Sequence, residues 1–229
     1  MSPASAADRV LALALDPDVT SGGDATSERI LDAALDLAAA SGLRHLTMDD
    51  VARRAGVGRM TVYRRFASKP ALVDALTVRE SRRCLARIAA ALRADDPADE
   101  RLAALFTATL AVIREHPLLE RLARFEPEAL LTELTRDDSA AFRLVREFLF
   151  GLVREGQAAG ELVEGDPAVL AELGLRLGAS FVLMPDSVLP LDSETQTRAA
   201  VRALIAPALR PRSRVPRRAD STRNPGPRR

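Results

Sequence analysis

At 229 residues, 47% of them hydrophobic and 28% charged, the chain has the balance of a folded protein and enough length for more than one core. A single cysteine, Cys84, excludes an internal disulfide and a cysteine-built metal cluster, and no run approaches the ~18 apolar residues of a membrane span. The net charge of +1 is unevenly spread: from Arg210 onward eight arginines face Asp220 alone, which leaves the preceding chain at about −6.

Alanine, leucine and arginine dominate and aromatics make up only 3%, so helices are expected throughout. Residues 1–25 read as a flexible lead-in, with a short helix around Asp8–Leu15. The apolar run in "RVLALALDPD" is too short for a secretory leader and lacks a cationic segment ahead of it, so a cytoplasmic protein is expected. A helix follows from Ser27, with Ile30, Leu31, Ala34, Leu35, Leu37 and Ala38 on one stripe and Gly42 as its stop. Thr47, three residues before Asp50, opens a second short helix that places Asp49 and Asp50 in its first turn and ends at Gly56. A third begins after "GVG" and runs over about Arg59–Phe66. Two short helices joined by a glycine-containing turn form a helix-turn-helix pattern.

Ser68 and Pro70 then start a long fourth helix reaching about Ala94, along which Leu72, Leu76, Leu85, Ile88 and Leu92 recur. Further helices are expected over roughly 98–115, 118–125, 127–135, 138–158, 167–184 and 194–209, separated by Pro, Gly and Asp. The fold class is all-α. An N-terminal helix-turn-helix domain (26–70) is followed by a helical regulatory domain (71–209) and a basic, disordered tail (210–229).

The third helix holds the only tyrosine of the chain, and its only lysine, Lys69, lies just beyond. Advancing about 100° per residue, Val62 and Phe66 share the buried side, and Arg64 with Met60 lies opposite. Tyr63, Thr61 and Arg65 occupy the flanks. A helix seated in a major groove needs this division, since central side chains meet base edges and flanking ones meet phosphates. The base-reading candidates are therefore Arg59, Met60 and Arg64, with Arg59 reaching outward from the helix start. The phosphate-contacting candidates are Thr47, Thr61, Tyr63, Arg65 and Lys69.

Over residues 27–76 the order and spacing of "VARRAGV", "TVYRRF" and "SKPAL" resemble the DNA-binding domain of the tetracycline-repressor (TetR/AcrR) family of bacterial regulators. Gly58, Met60 and Pro70 depart from that family's usual residues, and Met60 does so on the reading face. The resemblance implies a sequence-specific transcriptional regulator, a repressor that leaves a palindromic operator in double-stranded DNA when a small hydrophobic effector binds. It also implies a homodimer built on the last two long helices, for which Leu173, Gly174, Leu177, Gly178, Phe181, Val201, Leu204 and Ile205 are the interface candidates.

An effector pocket is expected among the middle helices, with Phe106, Leu110, Ile113, Phe125, Phe142, Leu149 and Phe181 as its lining. His116 is expected to sit half-exposed in a loop. The chain has no Ser/His/Asp set, no phosphate-cradling glycine loop and no paired metal ligands, so neither an enzyme nor a cofactor is expected. A helical protein-interaction module without operator binding is the alternative left open.

Overall fold

The computed structural model describes residues 24–136, 139–184 and 187–211. The lead-in before Asp24, its expected short helix and most of the basic tail lie outside these residues. Among the described residues every regular element is helical.

Helix α1 (Ala25–Ser41) starts at Asp24, whose carboxylate accepts the Ser27 N–H, and buries Ile30, Leu31, Ala34 and Ala38 as the sequence pattern predicts. It stops at Gly42, at φ 90° and ψ 161°, a backbone region open essentially only to glycine. Helix α2 (Met48–Ala55) is capped by Thr47 and ends at left-handed Gly56. Helix α3 (Arg59–Arg65) begins after Gly58 without a side-chain cap and packs through Val62 and Phe66. Helix α4 (Lys69–Ala90) is capped by Ser68, has Pro70 in its first turn and ends four residues before the expected Ala94.

The next helices are α5 (Ala98–Glu115), α6 (Pro117–Phe125), α7 (Pro127–Thr135), α8 (Ala140–Ala158) and α9 (Pro167–Leu183). No single helix among the described residues is long and apolar enough to cross a membrane, and α5 and α6 meet at a 73° bend. The expected last helix is interrupted. Helix α10 (Glu194–Ala200) passes into a π-type turn (Val201–Ile205) before α11 (Ala206–Leu209). Pro207 is the physical reason, because a proline within a helix lacks the i→i−4 donor and crowds that carbonyl. The widened turn hands the Ala206 N–H to the Val201 carbonyl instead.

Two cores form. The first unites α1, α2, α3 and the start of α4 around Ile30, Val51, Val62, Leu72 and Leu76, and includes Leu118 and Leu122 of α6. The second lies between α4, α5 and α8 around Leu85, Ile88, Val112 and Phe148.

The junction between the two is ionic. Arg79, only 5% exposed, gives Nε to Glu80 at 2.8 Å and Nη1 to Asp32 at 2.8 Å and Glu28 at 3.2 Å. His116 corrects the sequence expectation: it is 8% exposed, and its Nδ1 accepts the Leu119 N–H that caps α6. That leaves Nε2 as the protonated nitrogen, donating to Glu80 at 3.2 Å. Burial raises the Glu80 carboxyl, but the His116 hydrogen bond and the Arg79 and Arg83 guanidiniums outweigh it and hold it below the usual 4.5. Burial, aided by Glu80, pushes the Cys84 thiol up to about 11, so it stays protonated and unreactive at neutral pH.

Candidate nucleic-acid interface

The α2–turn–α3 unit sets its outward face by anchoring the opposite one. Val62 is fully buried and Phe66 nearly so, which forces the other side of this two-turn helix into solvent. Met60 stands there at 78% exposure, and Arg64 beside it is exposed. Thr61 is half-buried on one flank and Tyr63 is at the edge of exposure on the other.

The cations around this face differ in their freedom. Arg59 forms an ion pair with Asp49, Nε to Oδ1 at 2.9 Å, and its guanidinium carbon lies 5.6 Å from the centre of the Tyr63 ring. Arg65 pairs with Asp24. The Ser27 amide and, with it, the Arg65 guanidinium keep that exposed carboxyl below its ordinary pKa. Lys69 donates to the Arg44 carbonyl at 2.9 Å, tying the start of α4 to the α1–α2 turn, with two ammonium donors left over. Thr47 accepts the Asp50 N–H at 3.1 Å and donates to Asp50 Oδ2 at 2.6 Å, so its hydroxyl is engaged in holding α2.

Sequence reasoning missed Arg44. Its carbonyl accepts from Lys69 and its guanidinium pairs with Glu128 of α7, linking the α1–α2 turn to the regulatory helices. Its only sequence signal is one more arginine in an arginine-rich chain.

The structure gathers Thr47, Arg59, Met60, Thr61, Tyr63, Arg64, Arg65 and Lys69 around one helix-turn-helix unit, and the rest of the chain bears out the relationship. Residues 30–76 match the family described as bacterial regulatory proteins, tetR family. The HTH-type transcriptional regulator Rv1255c of Mycobacterium tuberculosis is 30% identical over 206 residues, 88% of this chain and 92% of that protein. The chain belongs to the TetR family.

As a TetR-family protein it is a transcriptional regulator with a DNA-binding helix-turn-helix, and not an enzyme. Solved structures agree on the fold. A TetR-family regulator from Mesorhizobium loti superposes with a TM-score of 0.61 at 21% identity, covering 81% of this chain and 96% of that one. The fatty acid degradation regulator FadR of Bacillus halodurans gives 0.59 at 19% identity, covering 79% and 94%.

Away from α3, the pocket candidates fall in different surroundings. Phe106 and Phe181 meet edge to face with ring centres 5.2 Å apart. Leu110 is buried, and Ile113, Phe142 and Leu149 are half-buried. Phe125 is not enclosed: at 63% exposure it lies under the Arg121 and Arg124 guanidiniums. The most buried aromatic side chain of the region, Phe148, was not among the candidates.

The interface candidates also divide. Leu173, Leu177 and Leu204 are exposed, joined by Val169 one turn before Leu173, and Gly178 faces open space. Gly174 instead points toward Leu149 of α8. Ile205 is half-buried, and Phe181 is spent on Phe106. Val201 corrects the expectation. It is 1% exposed, enclosed within the chain where the π-type turn packs on α5, and has no surface to offer a partner.

Proposed function

We propose that the protein is a homodimeric repressor that grips a palindromic operator with two copies of α3 and releases it when a small hydrophobic molecule binds the regulatory helices. The observation that carries this reading is the outward face of α3, where an exposed thioether and an exposed guanidinium stand between flanking cations and hydroxyls. In this reading Arg64 and Arg59 pair with guanine edges and Met60 presses on a thymine methyl. Tyr63, Thr61, Arg65 and Lys69 hold the two walls of the groove, while the Thr47 hydroxyl stays with Asp50 at the α2 cap.

The exposed stripe of Val169, Leu173 and Leu177 with Leu204 supports dimerisation, since a monomer gains nothing by leaving these leucines in water. A two-fold dimer would place its recognition helices about 34 Å apart, or a multiple of that. The aliphatic, aromatic-poor interior suits an apolar effector, and FadR and the n-alkane-biodegradation repressor AlkX share the fold. Such an effector must bind the DNA-incompetent arrangement better than the competent one.

Selection of sites from a random duplex pool with the purified protein tests the reading, followed by titration of the selected site at two salt concentrations. Convergence on an inverted repeat, bound with a steep salt dependence, is expected. Failure of the pool to converge would refute operator recognition. Leu173→Arg should yield a monomer by analytical ultracentrifugation, and an unchanged dimer would remove α9 from the interface.

A further inference from the structure

The two arginines of the reading face are held differently, and the difference assigns a role to a residue outside that face. Arg59 is restrained twice, by an ion pair with the Asp49 carboxylate beside its Nε and by the Tyr63 ring near its guanidinium. Arg64 has neither restraint among the described residues. We propose that Asp49, in the first turn of α2, is a positioning residue for specificity: it fixes Arg59 as a guanine reader of the operator. This rests on the DNA-binding reading above and deepens it.

The chemistry follows from the shape of the guanidinium, a rigid planar fork that recognises O6 and N7 of guanine through two parallel N–H donors. The nearest guanidinium atom to Asp49 is Nε, and neither terminal nitrogen is paired among the described residues, so both remain available. An arginine without such a hold must surrender its rotamer freedom on binding, and it can settle on a neighbouring phosphate instead of a base.

The pair is exposed and weak in the free protein. Docking against DNA expels water from it, and the lower local dielectric strengthens the Asp49–Arg59 attraction where the base is read. The carboxylate also repels phosphates, so it lowers affinity for DNA of any sequence while raising the distinction between sequences.

Nearby carboxylates are otherwise engaged: Asp50 holds Thr47 and Arg53, Asp24 holds Arg65, and Asp36 holds Arg54. The acidic charge of Asp49 is not needed for the α2 cap, which Thr47 supplies through the Asp50 amide. Asp49→Asn therefore leaves the fold intact and removes only the hold on Arg59.

The test uses the full-length protein, its selected operator, every single-base-pair substitution of one half-site, and a random duplex of equal length. Arg59→Lys, which keeps the charge and loses the fork, should relax preference at one G·C pair. Asp49→Asn should lower discrimination at that same pair by roughly three- to tenfold. It should also bind random duplex about twofold more tightly than the wild type.

A merely structural Asp49 would instead weaken all sequences together, and that result overturns the proposal. So does D49N keeping full discrimination at the pair that R59K relaxes. If the wild type itself selects no sequence, the operator-binding reading has failed and this inference fails with it.

Discussion

Replacing Arg79 by leucine tests whether the ionic junction holds the two cores together. Arg79 is nearly sealed from water, with contacts to Glu80 and Asp32 at 2.8 Å and to Glu28 at 3.2 Å. Removing one member of a buried ion pair costs about 3–5 kcal/mol, because the remaining charge is left in a poor solvent. Here the loss is softened. Glu80 keeps Arg83 and His116, each at 3.2 Å, and Glu28 and Asp32 are open enough to regain water. The expected destabilisation is therefore about 2–3 kcal/mol.

Urea unfolding at one fixed protein concentration measures it, because the proposed dimer would make stability concentration-dependent. Adding Glu80→Gln to Arg79→Leu should recover about 1 kcal/mol, since a neutral amide needs no counter-charge. A loss below about 0.5 kcal/mol for the single variant, or simple additivity of the two, would refute the argument.

Glu80, held below the usual 4.5, adds stability that is present above that value and lost as pH falls through its lower folded value. Glu80→Gln should therefore flatten the acid limb of stability below about pH 4.5, read by denaturation at successive pH values. Gly42→Ala should cost about 2 kcal/mol or more in the same assay, because φ 90° strains an alanine and its Cβ would fall on the buried Glu126 carboxylate. Arg64→Ala should relax base preference at one position per half-site by about 1–3 kcal/mol, measured by competition between substituted operators. Lys69→Ala should weaken every duplex alike and reduce the salt slope by about one.

Local signals were legible where one residue type solves one backbone problem. Gly42, Thr47, Gly56 and Ser68 each mark a helix boundary that the structure keeps. The outward direction of Met60 and Arg64 followed from Val62 and Phe66, since a two-turn helix has room for only one buried side.

Contacts between residues distant in sequence were not legible. Arg79, Glu80 and His116 carry the composition of a solvated surface, and only packing α1 against α4 and the α5–α6 corner turns them into a buried network. Val201 was misplaced for a related reason. A constant helical period would group Val201 with Leu204 and Ile205, but the π-type turn adds a residue, so Val201 instead shares its buried side with Ala206.

Leu118 and Leu122 sit in the core of the reading head although their helix is separated from α4 by all of α5. The reading head is thus not a detachable module. A fragment ending at the close of α4 would leave an uncovered apolar trough where α6 belongs. A chimera spliced near residue 70 would ask a foreign α6 to fill it. Exchange of specificities between regulators of this build requires grafting the outward side chains of α2 and α3, with the interior left in place.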